Sequence, residues 1–119
     1  MDVLIVETNA NLAGVWARSL ERSGGTIRVA ESEDVAVRAL EVQAFDIIVL
    51  NLNLQEGSAI AVADFAGFRR PDAKVVFVTS STFFSDGSIF NHCSNACAYL
   101  KDNTPPEDLA AIVEHYGRA

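Results

Sequence analysis

Positive charge is scarce in this chain: 9 Lys and Arg stand against 16 Asp and Glu over 119 residues, a formal net charge of -7. Such a surface repels phosphate backbones and anionic lipid headgroups alike, which argues against direct binding of nucleic acid or of a membrane. Thiols are nearly absent too. Cys93 and Cys97 are the only two, four residues apart with His92 adjacent, and no second ligand pair follows to close a tetrahedral metal site, so they read as ordinary thiols of a reducing compartment. No apolar run approaches the ~20 residues of a membrane span, and Met1-Asp2 leads into an apolar strand with no basic leader. The expectation is a soluble, cytoplasmic protein. Disorder is excluded, since 50% of the residues are hydrophobic, and a length above about 100 residues is enough for one core. A single domain over residues 1–119 is expected.

What is present is an alternation of short β-branched runs with helical stretches, the pattern of a parallel sheet covered on both faces. Val3 to Val6, Thr26 to Ala30, Ile47 to Leu50, Val75 to Thr79 and Ala96 to Leu100 read as strands. The first, third and fourth are almost wholly apolar and belong in the centre; the second and fifth are mixed and belong at the edges. The fold predicted is α/β: a five-stranded parallel sheet with helices on both faces, a doubly wound three-layer sandwich.

The intervening helices differ in quality. The first carries Leu12, Val15, Trp16 and Leu20 on one face and ends at Gly24-Gly25. The second starts at Ser32 as N-cap with Glu33 and Asp34 in its first turn, and the third runs from about Ser58 to Phe68. A fourth, Phe83 to Asn95, is interrupted by Gly87 and several Ser, and is expected to be short or distorted. The last opens at Thr104-Pro105-Pro106-Glu107, read as a capping box.

Ligand crevices of open parallel sheets lie at the carboxyl ends of the strands. There stand Glu7 and Thr8, then Asn51 and Asn53, then Thr79, Ser80 and Ser81, and finally Lys101. A carboxylate, carboxamides, hydroxyls and an ammonium thus converge from four strands. Each also has a plainer reading: Glu7 and Lys101 as a structural ion pair, Thr79 as a strand-end hydroxyl bonded to the backbone, His92 and His115 as surface histidines, Trp16 as core.

In the runs VLIVE ending at Glu7, FDIIVLNLNLQEG from Phe45 to Gly57, VVFVTSS ending at Ser81 and YLKDNTPPEDL from Tyr99 to Leu109, the chain resembles the CheY-like receiver domains of bacterial two-component response regulators. The resemblance covers essentially the whole chain and implies the flavodoxin-like strand order 2-1-3-4-5. It implies a phosphoryl acceptor Asp after the third strand, Mg²⁺ held by that Asp, an acidic pair after the first strand and a backbone carbonyl two residues past the acceptor, and a hydroxyl and a Lys that grip the phosphoryl group. Thr79 and Lys101 match the grip, Glu7 the first acid and Asn53 the carbonyl. Thr8 stands in place of the second acid, and Asn51 in place of the acceptor. Asp102 replaces the Pro that commonly follows the Lys, and Tyr99 lies two residues before Lys101 where the family's switch aromatic lies three before.

A carboxamide is a poor nucleophile and forms no acyl phosphate of the aspartyl kind. Mg²⁺ sheds water only for strongly charged oxygen ligands, and each carboxylate lost at ~4 Å removes several kcal/mol of attraction at an effective dielectric near 20. No metal or other cofactor is expected at these remnant positions, and Lys101 is expected to pair with Glu7 while Asn51 bridges to Thr79 or Lys101. The reading is a degenerate receiver, not an enzyme, that works in phosphorelay signalling as a protein-interaction module. Its partner is a histidine kinase, another signalling protein or a second copy, met through the face of the fourth helix, fifth strand and last helix, with Phe83, Phe84, Phe90 and Tyr99 as the docking residues. The alternatives are a functional receiver with a non-standard acceptor that regulates a downstream, DNA-binding output domain, and a flavodoxin-like small-molecule binder, which the absence of a Gly-rich loop after the first strand disfavours.

Overall fold

In the computed structural model, which describes residues 1–79 and 95–117, the apolar runs pair as one parallel sheet. The strands are β1 (Asp2–Val6), β2 (Thr26–Ala30), β3 (Ile47–Asn51), β4 (Lys74–Thr79) and β5 (Ala96–Lys101), and the helices are α1 (Ala10–Arg22), α2 (Glu33–Val42), α3 (Ala59–Arg69) and α4 (Pro106–Gly117). The strand order is β2-β1-β3-β4-β5, as the resemblance implies. Every residue of β3 is buried, while the edge strand β2 is largely exposed. A strand covered on both faces has no polar side to show, so its sequence lacks alternation.

Two cores result, one per face. Leu4, Val6, Ile48, Leu50, Val75 and Phe77 point toward α2 and α3, whose Ala36, Ala39, Ala59, Ala63 and Ala66 allow close approach. Val3, Ile5, Ile47, Val49, Val76 and Val78 point toward α1 and α4, where Trp16, Leu20, Leu109 and Val113 meet them. Each fully buried Val, Leu or Ile contributes roughly 1.5–3 kcal/mol of transfer free energy. The Ser19 hydroxyl ties the two helices of this second layer together by donating to the Pro106 carbonyl at 3.0 Å.

Helix ends follow local chemistry. Asn9 caps α1, its Oδ1 accepting from Asn11 and Leu12 N–H. At the other end Gly24, at φ 93, lets its own N–H reach the Glu21 carbonyl and that of Gly25 reach Leu20, a Schellman closure. Ser32 and Ser58 cap α2 and α3. The last helix departs from expectation by starting later: its first bonds, from Asp108 and Leu109, run to the Pro105 carbonyl, so Pro105 takes the capping position. The sequence-expected helix over Phe83 to Asn95 lies, except for Asn95, outside the described residues, as do Ser80, Ser81, Phe83, Phe84, Phe90, His92 and Cys93.

The pairing of β4 with β5 contains an irregularity that local pattern does not announce. Val75 pairs with Ala96 but Val76 pairs with Ala98, leaving Cys97 as an extra residue. Cys97 and Ala98 both pack against the α1/α4 core, and Tyr99 is thereby returned to the α2/α3 side. The bulge changes the phase of the strand, so a spacing read along the chain no longer equals a position across the sheet.

Candidate functional site

Parallel register brings the strand tips together. Val6 pairs with Leu50, so the next residues, Glu7 and Asn51, are neighbours; Thr79 pairs with Lys101 across the β4–β5 edge. Glu7 and Asn51 are both buried. Asn51 Nδ2 donates to Glu7 Oε1 at 2.5 Å, and Asn51 Oδ1 accepts the Asn53 N–H at 2.8 Å. The other carboxylate oxygen, Glu7 Oε2, accepts the Asn9 N–H at 2.9 Å. A carboxylate only accepts and a backbone N–H only donates, so the Asn51 carboxamide has one orientation that satisfies both neighbours.

The Thr8 hydroxyl also works in both directions, donating to the Glu31 carbonyl at 3.0 Å and accepting the Gln55 N–H at 3.2 Å. Gln55 Nε2 in turn donates to the Asn53 carbonyl at 2.9 Å. Gly57 then turns the chain at φ 106, where an added Cβ would collide with that of Glu33. Glu33 holds this turn with its N–H on the Glu56 carbonyl at 2.9 Å and its carboxylate on the Ser58 N–H at 2.8 Å.

These groups surround a polar cavity of about 320 Å³ lined by Glu7, Thr8, Asn9, Leu12, Asn51, Asn53, Gln55 and Asp102. The structure therefore brings Glu7, Thr8, Asn51 and Asn53 to one place. Thr79 and Lys101 are placed side by side on the adjoining strands but do not line that cavity. Thr79 is fully buried and its hydroxyl has no hydrogen-bond partner, backbone or side chain, among the described residues. Lys101 is exposed. Its expected pairing with Glu7 is corrected: both Glu7 oxygens are taken by amide donors, and no Glu7–Lys101 ion pair forms among the described residues. Asn51 bonds to Glu7 and Asn53 rather than to Thr79 or Lys101. A neutral amide reaches the carboxylate from the adjacent strand with little desolvation, whereas an ammonium brought to the same buried oxygen would lose its water.

The donor set does not suit a divalent ion. Among the described residues no three of His, Cys, Asp and Glu converge to share one, and the Asn53 carbonyl already accepts from Gln55. Beside the Glu7 and Asp102 carboxylates the cavity offers carboxamide and hydroxyl oxygens, which carry too little charge to displace the hydration shell of Mg²⁺.

Tyr99, read from the sequence as a docking residue, is half-buried, and its ring lies against Phe77 with centroids 5.5 Å apart at 31°. It faces the α2/α3 core rather than presenting a free aromatic surface. Exposed large apolar side chains among the described residues are Val29, Val42 and, at 83% exposure, Phe68. Phe68 lies in the last turn of α3 with its ring turned outward, which periodicity alone does not reveal. Burial pushes the Cys97 thiol above its ordinary value, with the Lys74 ammonium pulling the other way. No helix among the described residues is long and apolar enough to cross a membrane.

No protein-family model matches the chain, and no curated protein sequence matches it. Solved structures do. The N-terminal domain of a response regulator/sensory box/GGDEF three-domain protein from Carboxydothermus hydrogenoformans superposes with a TM-score of 0.87 at 25% identity, over 99% of this chain and 94% of that one. A CheY-like response regulator receiver domain from Methanospirillum hungatei JF-1 gives 0.86 at 21%, over 98% and 93%. A Burkholderia pseudomallei response regulator, crystallised with a phosphorylated aspartic acid, calcium ion and citrate, gives 0.78 at 24%, over 96% and 71%. The fold is that of CheY-like receiver domains, and the Carboxydothermus neighbour supports a signalling module of the two-component response-regulator type.

Proposed function

We propose that this chain is a receiver-type signalling module whose strand-tip pocket works as a fixed hydrogen-bonded joint instead of a phosphate switch, and that its function is recognition of another protein. The observation that carries this is the Asn51 carboxamide, which ends β3 and is held between the Glu7 carboxylate and the Asn53 N–H. Where the Burkholderia neighbour carries a phosphorylated aspartic acid and a calcium ion, the resemblance aligns the acceptor with Asn51, whose amide oxygen does not form an acyl phosphate. The Asn51 bond engages Glu7 Oε1, and the Asn9 N–H engages Oε2, so each carboxylate oxygen already accepts a hydrogen bond.

A joint of this kind leaves the module in one conformation unless a partner binds another form better. The partner is a kinase or another signalling protein, or a second copy of this chain, and the module performs no chemistry of its own. Incubation with a small-molecule phosphodonor, with and without Mg²⁺, tests the reading by intact mass. The expected result is no gain of a phosphoryl group; incorporation at any residue sinks the proposal and restores the reading of a working receiver with a non-standard acceptor.

A further inference from the structure

The loop that joins β3 to α3 is held from three sides. Thr8 receives the Gln55 N–H, Glu33 receives the Ser58 N–H, and Gln55 folds its own side chain back so that Nε2 meets the Asn53 carbonyl at 2.9 Å. That carbonyl is the oxygen that a divalent ion would need as its backbone ligand in the resembling family. It retains a second lone pair, but the Gln55 amide hydrogens present positive charge to anything cationic that approaches it, and the Gln55 side chain forms part of the cavity wall.

We propose that Gln55 is a positioning residue that makes the Asn53 carbonyl an internal acceptor and so closes the pocket to divalent ions independently of its missing carboxylates. This rests on the reading of the pocket as a fixed joint and adds a second, separable device to it. Restoring acids at positions 8 and 51 then restores metal binding only in part, because the carbonyl remains engaged. Thr8→Asp removes one tether of the loop but leaves the Gln55 carboxamide in place.

Mg²⁺ alone is titrated by calorimetry into the full chain carrying T8D/N51D and into the same chain carrying Q55A in addition. The added Q55A is expected to tighten Mg²⁺ binding about two- to tenfold, the range set by one exposed hydrogen bond. Q55E, which keeps the length but loses the donor, is expected to tighten it at least as much. Equal affinity with and without Gln55, or no binding in any of these variants, overturns the proposal. So does a change confined to the melting temperature measured without Mg²⁺, since that is all a merely structural role would move. Should T8D/N51D not fold, N51D with and without Q55A is compared under the same expectations. The underlying reading fails separately, through phosphate incorporation into the unsubstituted chain.

Discussion

Asn51 and Glu7, 44 residues apart in the chain, form a buried donor–acceptor pair across adjacent strands. The pair joins a carboxylate to a neutral amide, so a buried negative charge is solvated by Asn51 on one oxygen and by the Asn9 N–H on the other. A charge held this way is stabilised by both donors, and the loss of either weakens its solvation.

Replacing Asn51 by Ala removes one donor and leaves Glu7 under-solvated. The loss is expected to be about 1–3 kcal/mol, read as a lower urea midpoint with unchanged slope. Asn51→Asp is expected to destabilise as well, because it sets two carboxylates face to face, and added Mg²⁺ should recover part of the loss while leaving the parent chain unaffected. An N51D chain as stable as the parent in the presence of a chelator contradicts this account of the pair.

Gly57 is a position where a side chain meets both a strained backbone and a clash. At φ 106, with Glu33 Cβ where a methyl would sit, Gly57→Ala combines backbone strain with a clash against the start of α2. A loss of at least 1 kcal/mol is expected, on the order of strained backbone positions. Urea denaturation of G57A checks it, and a midpoint equal to the parent's would show that the turn relaxes freely.

Thr79 provides a test of opposite sign. Its hydroxyl is buried with no partner among the described residues, so Thr79→Val, which keeps the shape and removes the polar atom, is expected to be neutral or stabilising by up to about 1 kcal/mol. A marked drop in melting temperature for T79V would reveal that the hydroxyl is bonded in solution.

The Cys97 thiol, raised by burial, should react slowly with iodoacetamide at pH 8 in the folded chain. A Cys93→Ser variant isolates it. Reactivity is expected to increase at higher pH than for a free thiol, and unfolding in urea should abolish the delay. Because the neutral thiol is favoured in the fold, its contribution to stability is complete below the unfolded-state value and fades as pH rises through the folded one. Alkylation at the rate of a small thiol at pH 8 contradicts the burial.

Much of the architecture was readable from composition and period. Which strands lie in the centre and which at the edges followed from which runs were apolar throughout, and Ser32, Ser58 and Gly24 marked helix ends by chemistry confined to a few neighbouring residues. The set of tip residues was readable for the same reason, because a parallel sheet delivers the residue after each strand to one edge. Partner choice was not. Glu7 was expected to meet Lys101 and instead bonds Asn51 and Asn9, and no pattern foretold that Gln55 would cap Asn53.

The sequence by itself determined a five-stranded, doubly wound sheet and the identity of the groups at its carboxyl edge, because burial and capping depend on local spacing. Only the tertiary structure decided how those groups pair: the Cys97 bulge resets which face Tyr99 occupies, and contacts such as Thr8 with Gln55, 47 residues apart, depend on hydrogen-bond geometry resolved to fractions of an ångström. Periodicity specifies a face, whereas a hydrogen bond also requires a distance and an angle that packing alone sets.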